Sequence, residues 1–258
     1  MPGQAVSSPA LRGTAPLSWP VVAGQERSGP AMPVRTTRKP MAEHLYLVRH
    51  SETTAPAGAF VGSTDVDVTA HGLPALDRIA PHLPDGPCFC SPMLRTRRAL
   101  DRLRRSGVCM QAVFDDRLRE IDFGRWELAD FARIAETDGD LLAGWSAYTG
   151  FTFPGGESVA SFTGRVGEML AIFREHPARD LVVITHGGVI RTMICLALNL
   201  PVRHYLLFGV RPATFCLLDL HSQGAVLSGL NRGDGAGRTD DSCARDLSQV
   251  RQPRNTTE

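Results

Sequence analysis

No apolar run in this sequence approaches the ~20 residues needed to cross a bilayer. The most apolar stretch, Val189–Leu200, is interrupted by Arg191 and Asn199 and reads as a core helix. Neither sign of charge is in excess. Lys and Arg number 28 against 27 Asp and Glu, a formal net charge of +1, which argues against a nucleic-acid binder and against an acidic, solvated tail protein. Cysteine is sparse and unpatterned. The six, at positions 88, 90, 109, 195, 216 and 243, form no C-x-x-C pair, so neither a disulfide frame nor a zinc site is implied. They read as reduced core residues of a cytoplasmic protein. The eight histidines show no H-x-x-x-H or H-x-H spacing, so no metal site is expected. An apolar signal region is missing as well, which disfavours secretion.

Periodicity is what residues 1–42 lack. They are rich in Pro, Ser, Ala and Gly, bury too little apolar surface to offset the entropy of ordering, and are expected to be disordered. Their arginines and scarcity of acids resemble a transit peptide, but Pro16, Pro20, Pro30 and Pro33 spoil an amphipathic helix. A start at Met41 is the simpler expectation, because the first strand begins just after it. From Asn231 the chain is again polar and aperiodic, and residues 232–258 are expected to form a frayed tail.

Between these ends, residues 43–231 suffice for one domain. Strands are expected at His44–Val48, Cys88–Cys90, Val113–Phe114 and Leu181–Thr185, with a hairpin from Ala213–Leu220 and Ala225–Leu230. Helices are expected over Thr69–Leu83, from Pro92 with Ser91 as N-cap, over Glu127–Tyr148 as one or two pieces, and over Val189–Leu198. Val159, Phe162, Val166, Met169, Leu170 and Phe173 mark one face of a further helix. Apolar strands without alternation, separated by helices, argue for a mostly parallel sheet covered on both faces, an α/β fold.

Three of these strands end alike. The first ends in Arg49-His50. Leu181–Thr185 ends in His186-Gly187-Gly188 and turns directly into a helix. Cys88–Cys90 ends in Ser91-Pro92, with Arg95 in the next helical turn. In open α/β sheets ligands bind beyond the carboxyl ends of strands, and a glycine-led helix N-terminus favours an anion. Taken singly, each residue has a plainer account. Arg49-His50 alone is a solvated turn, His186 a satisfied histidine at a helix start, and Arg95 a surface residue beside Arg97 and Arg98. Their joint placement at one sheet edge points to an anion pocket.

The segments LVRHSET (Leu47–Thr53), SPMLRT (Ser91–Thr96), LREIDFGRW (Leu118–Trp126) and THGG (Thr185–Gly188) together resemble the histidine phosphatase superfamily, also called phosphoglycerate mutase-like, over roughly residues 44–231. The resemblance implies a three-layer α/β/α sandwich and a phosphohistidine intermediate with His50 as nucleophile. It implies that Arg49, Arg95 and His186 grip the phosphoryl group, with Gly187 completing the donors, and that Glu120 is the proton donor. Asp122 and Glu127 are rival carboxylates, and Glu120 has a plainer account as a partner of Arg117 or Arg119. Glu52 reads as a partner of an arginine or as a helix-start acid, and Glu157 of PGGES either orients the pocket or, as the simpler account, is a first-turn acid favouring the helix dipole. Two departures from the family pattern stand out. Ser51 replaces the usual glycine and either crowds the pocket or adds a hydroxyl donor, and Pro56 replaces an asparagine that many members carry.

Arg49 and Arg95 supply fixed, planar charge for phosphate oxygens, so no metal and no cofactor are expected. The compact segment between the acid motif and PGGES, a cap over about 121–157, favours a phosphatase over a mutase. A minority of its aromatics facing the cleft could stack on an aromatic leaving group. Gly58–Thr69 with LREIDFGRW and PGGES is most similar to alpha-ribazole phosphatases of cobalamin nucleotide-loop assembly. The partner expected is therefore a small phosphorylated metabolite, with no nucleic acid and no membrane. The oligomeric state is left open, a homodimer included. Phosphoglycerate mutase-type transfer and a catalytically weak phosphate-binding protein remain alternatives.

Overall fold

A computed structural model describes residues 42–145 and 150–233; the expectations for residues 1–41, 146–148 and 234–258 lie outside the described residues. The apolar runs that stop at a polar pair form strands β1 (His44–Arg49), β2 (Cys88–Cys90) and β4 (Asp180–Thr185), and β3 is Ala112–Phe114. The hairpin forms from β5 (Phe215–His221) and β6 (Gly224–Arg232). One sheet results, in the order β3-β2-β4-β1-β5-β6. Its first four strands run parallel, while β5 pairs antiparallel with both β1 and β6.

Each central strand is buried on both sides, so its side chains divide by parity. Leu45, Leu47, Leu181 and Val183 pack on α3 (Val159–Glu175) and α4 (Gly187–Ala197). Val48, Val182 and Ile184 pack on the other face, against Ala99, Leu100 and Leu103 of α1 (Leu94–Arg105) and against Leu76 and Ile79. This is the expected three-layer α/β/α sandwich. Each fully buried Leu, Ile or Phe contributes about 1.5–3 kcal/mol, and the face of α3 anticipated from its spacing (Val159, Phe162, Val166, Met169, Leu170, Phe173) is buried throughout.

Several local expectations are corrected. Thr69–Leu83 is not an α-helix: two short 3-10 turns, Leu73–Arg78 and Ala80–His82, stand there. Pro74 and Pro81 each remove a backbone donor that an α-helix would need. Helix α1 begins at Leu94 with Met93 as N-cap, so Ser91 does not cap it. Helix α2 spans Phe131–Trp145 and leaves helical geometry at Asp138 (φ −138°, ψ 36°). There the carboxylate accepts from the Trp126 Nε1 indole (2.8 Å) and from Arg125 (2.8 Å). β6 continues to Arg232, so Asn231 belongs to the sheet and not to a tail.

The cysteines described (88, 90, 109, 195 and 216) are free and buried, and burial pushes the thiols of Cys90, Cys195 and Cys216 up. No helix among the described residues is long and apolar enough to cross a membrane.

Candidate active site

The parallel register sets Arg49 beside Thr185 and Cys90 beside Ile184, so β2, β4 and β1 stop within one residue of one another in that spatial order. The residues one step beyond are Ser91, His186 and His50, which therefore meet at one sheet edge. Backbone bonds fix the step: Ser91 N–H to Ile184 O (3.0 Å) and His50 N–H to Thr185 O (3.2 Å). The two imidazole rings lie 5.2 Å apart at 61°. All three residues are buried, as are Arg95, Ser51 and Glu120.

The hydrogen bonds decide the tautomers. His50 Nδ1 is 2.7 Å from the Ser51 carbonyl, which can only accept, so Nδ1 carries the proton. Burial, then Arg49, then Arg95 push the His50 pKa well below 6.5, against the opposing Ser51 bond. The ring is therefore neutral near neutrality, with a lone pair on Nε2. His186 is also neutral, its pKa lowered by burial first and by Arg95 next. Arg95 Nε donates to His186 Nδ1 (3.1 Å), so Nε2–H of His186 donates to Ser91 Oγ (2.8 Å). In this state both His186 nitrogens are committed within the protein, which the strand-end pattern did not foretell.

Arg95 also donates to the carbonyls of Thr64 (3.0 Å) and Gly62 (2.7 Å), binding the 62–64 loop to the sheet edge. Arg49 reaches the other side of the edge, where Nη1 donates to Val210 O (2.5 Å). Gly187 starts α4 directly against it: a Cβ there would sit 3.3 Å from Arg49 Cζ. Ser51 Oγ is fully buried and finds no hydrogen-bond partner in the protein.

Glu120 joins this group from the 117–123 loop. Its Oε2 accepts from Gly188 N–H at the start of α4 (2.8 Å), and Oε1 from Ile121 N–H (3.1 Å). The plainer account of Glu120 does not hold, because Arg117 pairs with Asp115 and Glu168, and Arg119 with Asp116. The rivals are engaged elsewhere. Glu127 accepts from the N–H groups of Gly62, Ser63, Thr64 and Phe123, and Asp122 from Ser63 Oγ and Gly124 N–H. Among the described residues Glu52 pairs with exposed His71 and with no arginine.

Four residues outside the expected set support the site. Ser91 holds His186. Glu127 fixes the loop whose carbonyls receive Arg95. Asn231 Oδ1 accepts from Arg211 N–H (2.7 Å) and its Nδ2 donates to Gly209 O (2.6 Å), bracketing the Val210 carbonyl that Arg49 uses. Arg165 pairs with Glu157 through Nε (2.7 Å) and Nη2 (2.8 Å). This corrects the helix-dipole account of Glu157, which precedes the N-cap Ser158 and faces the guanidinium instead.

The cap aromatics pack on one another: Phe60 and Phe153 against Phe123 at 5.0 Å each, Phe60 against Trp145 at 5.7 Å, and Trp126 against Phe151 at 5.6 Å. Such pairs stabilise the cap by about 0.5–1.5 kcal/mol each beyond area burial; none of this geometry speaks for stacking on a ligand. A groove of about 490 Å³ lined by Trp126, Leu128, Arg133 and Asp138 lies on the cap, and no strand-end residue lines it. Among the described residues no group of three His, Cys, Asp or Glu side chains is placed to hold a metal ion.

A family model described as "Histidine phosphatase superfamily (branch 1)" matches residues 45–233. The adenosylcobalamin/alpha-ribazole phosphatase of Salmonella typhimurium is 28% identical over 193 residues, 72% of this chain and 95% of its own. Phosphoserine phosphatase 1 of Hydrogenobacter thermophilus is 27% identical over 194 residues, covering 72% and 91%. Among solved structures, the alpha-ribazole phosphatase of Shigella flexneri superposes with a TM-score of 0.66 over 74% of this chain and 96% of that one, at 23% identity, a likeness of fold. A protein of Thermus thermophilus does so with a TM-score of 0.56 at 32% identity, over 71% and 97%.

Proposed function

Because this chain belongs to branch 1 of the histidine phosphatase superfamily and is a phosphoric monoester hydrolase, we propose that it cleaves a small phosphorylated metabolite through a phosphohistidine on His50, without a metal ion. The observation that carries this reading is the state of His50: buried, neutral, its Nδ1–H donated to Ser51 O and its Nε2 lone pair free to attack.

Attack by Nε2 forms the N–P bond as the ester P–O bond breaks. The departing alkoxide takes a proton from Glu120. Arg49 and Arg95 neutralise the charge spread over the equatorial oxygens. The Ser51 carbonyl, still accepting from Nδ1–H, favours the cationic phosphorylated ring. Gly187 at the start of α4 and the Ser51 hydroxyl add donors, and His186 braces Arg95 through Nδ1. Glu120, now ionised, takes a proton from water as that water attacks phosphorus. The N–P bond breaks, releasing inorganic phosphate and returning His50 to its neutral form.

For the substrate we propose alpha-ribazole 5′-phosphate. This rests on the likeness of Gly58–Thr69 and PGGES to alpha-ribazole phosphatases and on the Salmonella relative's name; the Hydrogenobacter relative makes phosphoserine the chief competitor. A panel of phosphorylated metabolites, assayed for inorganic phosphate release in EDTA, tests both levels. The expected result is release from p-nitrophenyl phosphate and fastest release from alpha-ribazole 5′-phosphate. Faster turnover of phosphoserine would replace the substrate, transfer between positions of phosphoglycerate without release would indicate a mutase, and no turnover of any ester would leave a phosphate-binding protein.

A further inference from the structure

Arginine has five N–H groups in a rigid fork, and Arg165 of α3 has all five engaged. Nε and one Nη2 N–H grip the two oxygens of Glu157 (2.7 and 2.8 Å). The other Nη2 N–H goes to the Glu120 carbonyl (3.1 Å), and the two on Nη1 go to the carbonyls of Arg117 (2.8 Å) and Arg119 (2.6 Å). The remaining carbonyl of that stretch, Leu118 O, accepts from Thr185 Oγ1 (2.7 Å), one residue before His186. Four consecutive backbone carbonyls leading into Glu120 are thus anchored, three by one guanidinium and one by the strand that presents His186. The plane of the guanidinium is fixed in turn by Glu157 and by the Phe162 ring, 4.8 Å from Cζ. Glu157 also closes the far side of the loop, its backbone N–H donating to Asp122 O (2.9 Å).

We infer that Arg165, oriented by Glu157, is the positioning residue for the proton donor: it fixes the 117–120 backbone so that the Glu120 carboxylate meets the first turn of α4 at Gly188. This rests on the reading of Glu120 as proton donor and adds to it. Arg165 touches no reacting atom. Apart from its charge, the last of five causes that lower the His186 pKa, its effect reaches the chemistry through where Glu120 sits, so its loss falls chiefly on proton delivery. Lysine, with three donors on a single nitrogen, cannot reproduce five bonds in one plane.

The test compares kcat/KM, which reports phosphorylation of His50 and not the later hydrolysis that Glu120 assists for every substrate, between p-nitrophenyl phosphate, whose leaving group departs without a proton, and an alkyl phosphate, whose leaving group needs one. The chains are the parent, Glu120→Gln, Arg165→Lys, Arg165→Met, Glu157→Gln and the double variant Arg165→Met/Glu120→Gln. Glu120→Gln is expected to slow the alkyl ester roughly 100-fold or more with little effect on the aryl ester. Both Arg165 variants are expected to show the same selectivity, with competitive inhibition by inorganic phosphate unchanged. Adding Arg165→Met to Glu120→Gln should cost nothing further, since both act through one group.

Equal losses on both esters for the Arg165 variants, or losses that add in the double variant, would overturn the positioning role while Glu120→Gln alone still identifies the acid. An unselective Glu120→Gln would instead sink the proton-donor reading and this inference with it. Should Arg165→Met fail to fold in thermal unfolding, Glu157→Gln carries the comparison. A selective loss smaller than that of Glu120→Gln supports the inference, and no loss or an unselective one contradicts it.

Discussion

At the scale of single residues, the site is a set of polar groups whose partners were chosen by burial. His50 is neutral because burial and two arginines disfavour a cation, and its Nδ1 bond leaves the nucleophilic nitrogen bare. Ser51 departs from this, its buried hydroxyl having no partner in the protein. An unsatisfied buried hydroxyl costs about 1–3 kcal/mol, and a hydrogen bond it makes to a ligand returns about 0.5–1.5 kcal/mol. If it donates to the phosphoryl group, Ser51→Ala should stabilise the free protein by about 1 kcal/mol while weakening inhibition by inorganic phosphate roughly two- to tenfold. Thermal unfolding and a phosphate inhibition constant measure both. Unchanged inhibition would assign Ser51 to crowding and not to binding.

At the scale of elements, the start of α4 is where strand, helix and acid loop converge. Gly187 lets the Arg49 guanidinium lie against the backbone, and Gly188 lets Glu120 reach its N–H. A Cβ on Gly188 would stand 2.4 Å from Glu120 Oε1, so Gly188→Ala must push the carboxylate aside. The helix itself tolerates alanine better than glycine. We therefore expect Gly188→Ala to hold or slightly raise the melting temperature while lowering alkyl phosphate turnover at least tenfold, within the range a general acid contributes. Full activity would mean that the Glu120 bond to α4 is dispensable.

The elements also show what the sequence discloses and what it hides. β1 and β4 were legible because their apolar runs halt at Arg49-His50 and His186, and α3 because its buried face repeats at helical spacing. Thr69–Leu83 misled because Leu76, Ile79, Ala80 and Leu83 are buried at helix-like intervals although Pro74 and Pro81 forbid the helix. Arg165 and Asn231 were invisible for a different reason. Their targets are mostly backbone carbonyls and N–H groups, 48 residues away for Arg117 O and 22 for Gly209 O, and a backbone group has no letter in a sequence.

At the scale of the whole molecule, burying two histidines beside arginines ties stability to pH. The folded-state pKa values of His50 and His186 lie well below 6.5, whereas unfolding restores the ordinary value. Between 6.5 and the lowered values the unfolded chain binds more protons, so stability falls as the pH drops through that window. The depressed carboxylates Asp67, Asp77, Asp115, Asp138 and Asp219 act lower, as the pH falls below their ordinary 3.8. The melting temperature should therefore decline from pH 7 toward pH 5. In His50→Gln, which removes one of the two titrations, the decline should be shallower. A slope identical to the parent's would show that His50 does not hold its neutral form in the folded chain.

The central claim is that His50 becomes covalently phosphorylated during turnover, and rapid quenching of the enzyme with a ³²P-labelled phosphate ester tests it most directly. The account predicts a protein-bound phosphoryl group that is lost in acid, survives in base, maps to the peptide carrying His50 and is missing from His50→Ala. A steady-state reaction that leaves no such label on His50, while substrate is being hydrolysed, would contradict it.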